Sequence, residues 1–231
     1  MSSKLIHGAL VCLVVALPWS TVAADGAAMA AEQCASCHAM ERPNFEAVGI
    51  AERFERKAPP LFFAGNKYRE QWLVGFLQNP ERLHPIGYFP GQAVESGAEG
   101  DLPLLGGDLS HPQLNAGDAE QIASYLMTLR PYDDLVAADS YEPGSVARRM
   151  ATMDFRRFKG CDACHQDEPD TGGFSGPTLH GAWNRLQPEY LSSFIKNATA
   201  WDPNTTMPVM EMNDAAVHRL VDYLKLIGET E

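Results

Sequence analysis

Cys34-Ala35-Ser36-Cys37-His38 and Cys161-Asp162-Ala163-Cys164-His165 repeat one pattern, C-x-x-C-H, in a chain of 231 residues. The sequence downstream of each copy also repeats. APPLFFAGNKYREQWLVGFLQNP, from Ala58, aligns with GPTLHGAWNRLQPEYLSSFIKNA, from Gly176, at one constant offset of 118. The register pairs Pro59 with Pro177, Leu61 with Leu179 and Lys67 with Arg185. It also pairs Trp72 with Tyr190, Leu73 with Leu191, Phe76 with Phe194 and Asn79 with Asn197. Each copy closes on an amphipathic stretch containing Tyr-Leu, Gly117–Leu129 and Asp214–Ile227. Ile122, Tyr125, Leu126 and Leu129 share one helical face, and Val217, Leu220, Val221 and Leu224 share another. Helical stretches are also predicted over Ala28–His38 and Val146–His165, running into the two motifs.

The segment Arg130–Ser145, acidic and carrying two prolines, reads as the connection between two domains. Residues 1–24 read as an export signal. Lys4 supplies the positive start, Gly8–Leu17 a short apolar run, and Val22-Ala23-Ala24 the small residues before Asp25. An apolar run of about 10 residues is too short to cross a bilayer, and no other segment reads as membrane-spanning. Cys12 leaves with the signal, so the mature chain keeps four cysteines, all paired in the motifs. The domains predicted are 25–135, with an insertion near 91–115, and 136–231.

With 18 Lys+Arg against 30 Asp+Glu, the formal charge is −12. A nucleic-acid binder needs phosphate-neutralising cations, so nucleic acid is not an expected partner. No convincing run of alternating strands appears. Units of this size with so few helices bury a thin core unaided, so something else is expected to fill the middle.

C-x-x-C-H is the attachment motif of a c-type haem. Two thiols three residues apart on a helical turn reach both vinyl groups of one porphyrin, and the adjoining imidazole reaches the iron. Composition alone predicts roughly 0.003 such pentapeptides in this chain, so two at equivalent places in a repeat are not coincidence. Zinc is the weaker reading, because ribbon-type sites space their cysteine pairs about 15–20 residues apart. These pairs are over 120 residues apart, and zinc gives no reason for His after each. A thioredoxin-like dithiol would need a βαβ context, which is missing.

On these residues the mature chain resembles a dihaem cytochrome c made of two class I cytochrome c domains. The resemblance implies an all-α fold, two tandem domains of short helices and loops, each wrapped around one covalently attached haem c. In that family a Gly-Pro-x-Leu loop follows the motif and a Met-Pro loop precedes the last helix. The second domain matches, with Gly176-Pro177-Thr178-Leu179, Met207-Pro208 and Tyr223-Leu224. The first departs modestly, with Pro59-Pro60-Leu61. The resemblance implies haem attachment at Cys34, Cys37, Cys161 and Cys164, with proximal ligands His38 and His165. It also implies that the Pro177 carbonyl region orients His165 and that Arg185 lies near a haem propionate.

Met207 is the expected sixth ligand of the second haem, with Met210 and Met212 close by. In the first domain the register places Phe89-Pro90 where Met207-Pro208 stands, and Phe cannot bind iron. Gly91–Asn115 holds no methionine. Counting back from Tyr125 brings His111-Pro112 near the Met-Pro position, so His111 is the expected ligand and His84 the alternative. Met40 lies too close to His38 to reach the opposite face, and Met127 reads as core. His180 and His218 carry no expected role. Trp72, Trp183 and Trp201 are expected as pocket walls.

The function expected is electron transfer in the periplasm, between a donor dehydrogenase or quinol-oxidising complex and a terminal acceptor protein. Two alternatives stay open: a haem subunit of a larger oxidoreductase, and a dihaem enzyme with an open first haem.

Overall fold

The computed structural model describes residues 19–89, 93–98, 100–104 and 111–229. The export signal expected over 1–24 lies outside the described residues up to residue 18, as do Pro90 and residues 91, 92, 99 and 105–110 of the expected insertion.

Helix α1 (Trp19–Gln33) runs directly into Cys34, and short α2 (Ile50–Phe54) comes after the motif. Then come α3 (Ala64–Lys67), α4 (Glu70–Gln78), a hairpin of β1 (Val94–Gly97) and β2 (Gly100–Pro103), and α5 (Ala116–Met127). After α6 (Asp133–Ala137), α7 (Arg148–Met153) widens into a π turn over Asp154–Phe158. A 3-10 turn over Cys161–Ala163 leads to a second hairpin, β3 (Gln166–Glu168) and β4 (Thr171–Gly172). The chain ends with α8 (Ala182–Arg185), α9 (Pro188–Lys196), α10 (Ala198–Trp201) and α11 (Asp214–Gly228). It is mostly helical, as expected. The two short hairpins are departures from the all-α expectation.

The sequence repeat is a structural repeat. α3 and α8, and likewise α4 and α9, begin and end on residues 118 apart. α5 and α11 start alike: the Asn115 side chain accepts the Asp118 N–H, and the Asn213 side chain accepts the Ala216 N–H. Each such cap contributes about 1 kcal/mol. The path from Asn79 to Asn115 is twenty residues longer than that from Asn197 to Asn213, and β1–β2 lies within the extra length. In the first repeat α1 packs on α5 at Gly26, where a Cβ would overlap the Gln121 carbonyl. In the second, α7 and its π turn pack on α11, with Phe155 and Tyr223 ring centres 5.4 Å apart.

The repeats join about a local two-fold axis. Tyr68 and Leu186, equivalent at offset 118, pair with each other in antiparallel fashion. Arg69 N–H donates to Arg185 O at 2.9 Å, and Gln187 N–H donates to Lys67 O at 2.9 Å. The side chains obey the same symmetry. Arg69 Nε donates to Trp183 O at 3.0 Å and Leu186 O at 2.9 Å. Gln187 Nε2 donates to Gly65 O at 2.7 Å and Tyr68 O at 2.8 Å. Beside this junction Phe62, Phe63, Tyr132, Tyr190 and Trp201 form a buried aromatic cluster. Trp201, expected as a pocket wall, is fully buried in that cluster.

The connection over 130–145 is more ordered than its composition implies. It contains α6, and the boundary drawn at 135/136 falls inside that helix. Tyr132 and Tyr141 are buried; Tyr132 N–H donates to Asn66, and Tyr141 OH donates to Asp222 at 2.8 Å. One end is thus tied to each repeat.

Candidate functional site

Each C-x-x-C-H motif is wound as a helical turn. His38 N–H donates to Cys34 O at 2.9 Å, and His165 N–H donates to Cys161 O at 3.0 Å. The four cysteines are free thiols, with Cys37 and Cys164 exposed and Cys34 and Cys161 half-buried. Burial, with Cys37 adding, pushes the Cys34 thiol up, and burial with Asp162 and Asp154 pushes Cys161 up to about 11. Both therefore stay protonated at neutral pH.

The two histidines are held identically. Nδ1 of His38 lies 2.7 Å from Pro59 O, and Nδ1 of His165 lies 2.8 Å from Pro177 O. A carbonyl only accepts, so Nδ1 carries the proton and Nε2 the lone pair. Burial lowers the pKa of each imidazole, outweighing the carbonyl hydrogen bond; His111 and Lys67 add to this at His38, and Arg185 adds at His165. Neutral imidazoles with a fixed Nε2 are what a metal needs. The Pro59-Pro60-Leu61 departure leaves this intact, because Pro59 supplies the carbonyl. What differs is the residue before it. A Cβ at Gly176 would overlap the His165 ring, whereas the first repeat has Ala58 at that place.

Beyond the proximal histidines the repeats diverge. The His111 ring centre lies 6.3 Å from that of His38, with planes at 77°. His111 Nδ1 is 3.0 Å from Pro112 O, which again leaves Nε2 with the lone pair. Phe76 sits 5.3 Å from His111, and Tyr68, just before α4, stacks on Trp72 and Trp72 on Phe76 of that helix, giving an aromatic wall that ends at His111. In the second repeat Met207 is half-buried on the loop before α11, its N–H donating to Thr205 Oγ1 at 3.2 Å. Met212 packs against the core instead.

His84, the alternative ligand expected for the first iron, stands beside the second repeat's loop: Leu83 O accepts Thr178 N–H at 2.9 Å. Burial pushes its pKa down to about 3, and Lys67, Arg185 and His165 press in the same direction. A His before Pro reads the same whether it faces its own repeat or the neighbour. Arg185, the last residue of α8, is buried against the same loop, donating to Thr178 O and His180 O, and its charge reaches His165. Its counterpart Lys67 lies over the Phe63, Tyr68 and Tyr190 rings.

A haem needs two thiols, axial ligands and apolar walls from its protein. Cys34, Cys37, His38 and His111, with Trp72 and Phe76, fit that demand. Cys161, Cys164 and His165 fit it too, with Met207 on the loop that would complete the set. Among the described residues no three His, Cys, Asp or Glu side chains cluster as a metal-ion site of their own. No helix among them is long and apolar enough to cross a membrane. Comparison with family models, with curated proteins and with solved structures found no match.

Proposed function

We propose that this chain is a dihaem electron-transfer protein, exported to the periplasm, which passes single electrons between a donor protein and an acceptor protein. The observation that carries this reading is the doubled proximal geometry: two C-x-x-C-H turns whose imidazoles meet an equivalent proline carbonyl at 2.7 and 2.8 Å. Haem bound there supplies a one-electron couple at each centre.

The chain does the rest. Cys34/Cys37 and Cys161/Cys164 hold the group covalently. Pro59 and Pro177 fix which imidazole nitrogen faces it and strengthen that nitrogen as a donor. The 6.3 Å between His38 and His111 favours His111 as the first sixth ligand. Two imidazoles bound end-on to one metal at ~2.0 Å from opposite sides hold their centres about 6.3 Å apart. Met207 is the proposed sixth ligand of the second centre. A thioether favours ferrous iron and an imidazole does so less, which sets the first centre at the lower potential. Electrons would enter through the first repeat and leave through the second. The two-fold junction keeps the centres at a fixed separation.

Spectrophotometric redox titration of the haem-loaded chain tests this. Two one-electron steps are expected, the lower from a bis-imidazole centre. A chain that takes up no haem, or shows one step from one centre, overturns the reading.

A further inference from the structure

The helices that lead into the two motifs occupy equivalent places but present opposite surfaces. α1 ends Ala30-Ala31-Glu32-Gln33 before Cys34, with no basic residue in its last turn. Its counterpart, α7 with the π turn, reads RRMATMDFRRFK over 148–159: five of the chain's 18 Lys and Arg residues against one acid, in a protein of net charge −12. Arg156 is engaged with Asp167 at 3.0 Å and Glu168 at 3.0 Å. Arg149 and Arg157 are exposed, and Lys159 is close enough for its charge to act on Cys161. Among them stand two large apolar side chains, Met150 59% exposed and Phe158 65% exposed. They lie two turns apart, and the extra residue of the π turn turns Phe158 toward the same side as Met150.

The scaffold does not require this surface, because α1 carries small residues at the corresponding place and still packs on α5. An exposed apolar pair within a basic rim is the composition of a docking surface. It adjoins Cys161 of the second centre, on whose thiol the charges of Asp154 and Lys159 both act. We propose that residues 148–159 form the docking surface for an acidic redox protein, the one that takes the electron from the second centre. This rests on the electron-transfer reading. One electron leaves the second centre and reduces the partner's metal, with no bond made or broken. Charge complementarity selects the partner: cations on this face steer an acidic protein in against the repulsion of the chain as a whole. Position separates a redox partner from a lipid surface, since only the former needs the patch beside the centre.

The test uses the full haem-loaded chain, reduced, mixed in stopped flow with an acidic blue-copper protein as acceptor, and a basic cytochrome c as control. Calorimetry measures complex formation separately. With the acidic acceptor the rate is expected to fall about tenfold from low to high salt. The variant R149E/R157E/K159E should be about tenfold slower at low salt and converge on the unaltered protein at high salt. F158A should weaken binding about threefold with the salt slope unchanged. The basic control should lose no rate. Equal rates for the triple variant, or an equal loss with both acceptors, overturn the proposal. So does self-association or binding to anionic vesicles that the triple variant abolishes without affecting the acceptor. If two haems are bound and neither acceptor takes an electron, the electron-transfer reading itself fails, and this proposal with it.

Discussion

The two candidate sites agree on their proximal side and part company on the distal one. His38 and His165 sit at 2.7 and 2.8 Å from equivalent proline carbonyls, on equivalent turns. Beyond them, the first repeat brings an imidazole to within 6.3 Å of His38, and the second carries methionines on the loop before α11. The difference has a simple origin. The proximal half is built by contiguous, duplicated sequence, whereas the distal half hangs on the path between α4 and α5 or between α9 and α11. That path is twenty residues longer in the first repeat, and the added length lets His111 descend beside Phe76. Under the proposed function, the duplicated scaffold would keep its attachment chemistry and vary its ligand.

Four pairs of substitutions sharpen or break this comparison. His111→Ala has the largest expected effect: the first centre alone becomes high-spin and binds added cyanide, while Met207→Ala removes the far-red sulfur-to-iron band of the second alone. Absorption spectra of the ferric proteins check both. A high-spin first centre in the unaltered protein would remove His111 and bring the enzyme reading forward.

Gly176→Val comes next. Its side chain must displace the His165 ring, at about 3 kcal/mol of stability and with disturbance of the second centre only. Ala58→Val, where a Cβ is already present, should cost about 1 kcal/mol. Denaturant unfolding measures the pair.

The junction is symmetric in position but not in charge. Arg69→Ala removes two charge-assisted hydrogen bonds and should cost about 2–3 kcal/mol, against about 1–2 for the neutral pair lost in Gln187→Ala. Equal losses would show that the local two-fold carries no charge asymmetry.

The smallest effect concerns pH. Burial, then the hydrogen bond to Asp167, pushes the Tyr223 hydroxyl up to about 12, with Thr152 opposing. In the unfolded chain it ionises near pH ~10. Between these values the unfolded state binds fewer protons than the folded one, so stability falls as pH rises from about 10 to 12. Tyr223→Phe should flatten that alkaline limb in part, because buried Tyr141, also raised by burial and Asp222, contributes to it. Thermal unfolding across pH 9–12 reads the difference, with Tyr125→Phe in the first repeat as control.

Much of this was legible in the sequence where the signal is local. The motif, the 118 register and the closing helices each lie within a short contiguous stretch, and the structure places α3, α4, α8 and α9 on that register to the residue. Counting back from a helix, which is also local, points to His111, and the structure places that ring near His38. The junction was hidden although Arg69 and Gln187 lie in register, because self-pairing about a two-fold axis is a tertiary event. The place of His84 beside the second repeat's loop was hidden for the same reason. α6 was masked by its acidity, yet Asp133 and Asp134 in its first turn favour the helix dipole. The β1–β2 hairpin, with one apolar residue in VESG, has no alternation to read.

The central claim is that both repeats carry a covalent haem on their cysteine pair. Intact mass of the exported, denatured chain tests it directly. The account predicts the polypeptide plus two haem groups, falling to one in C34S/C37S and to one in C161S/C164S. A mass equal to the bare polypeptide, or to one haem in the unaltered protein, would contradict it.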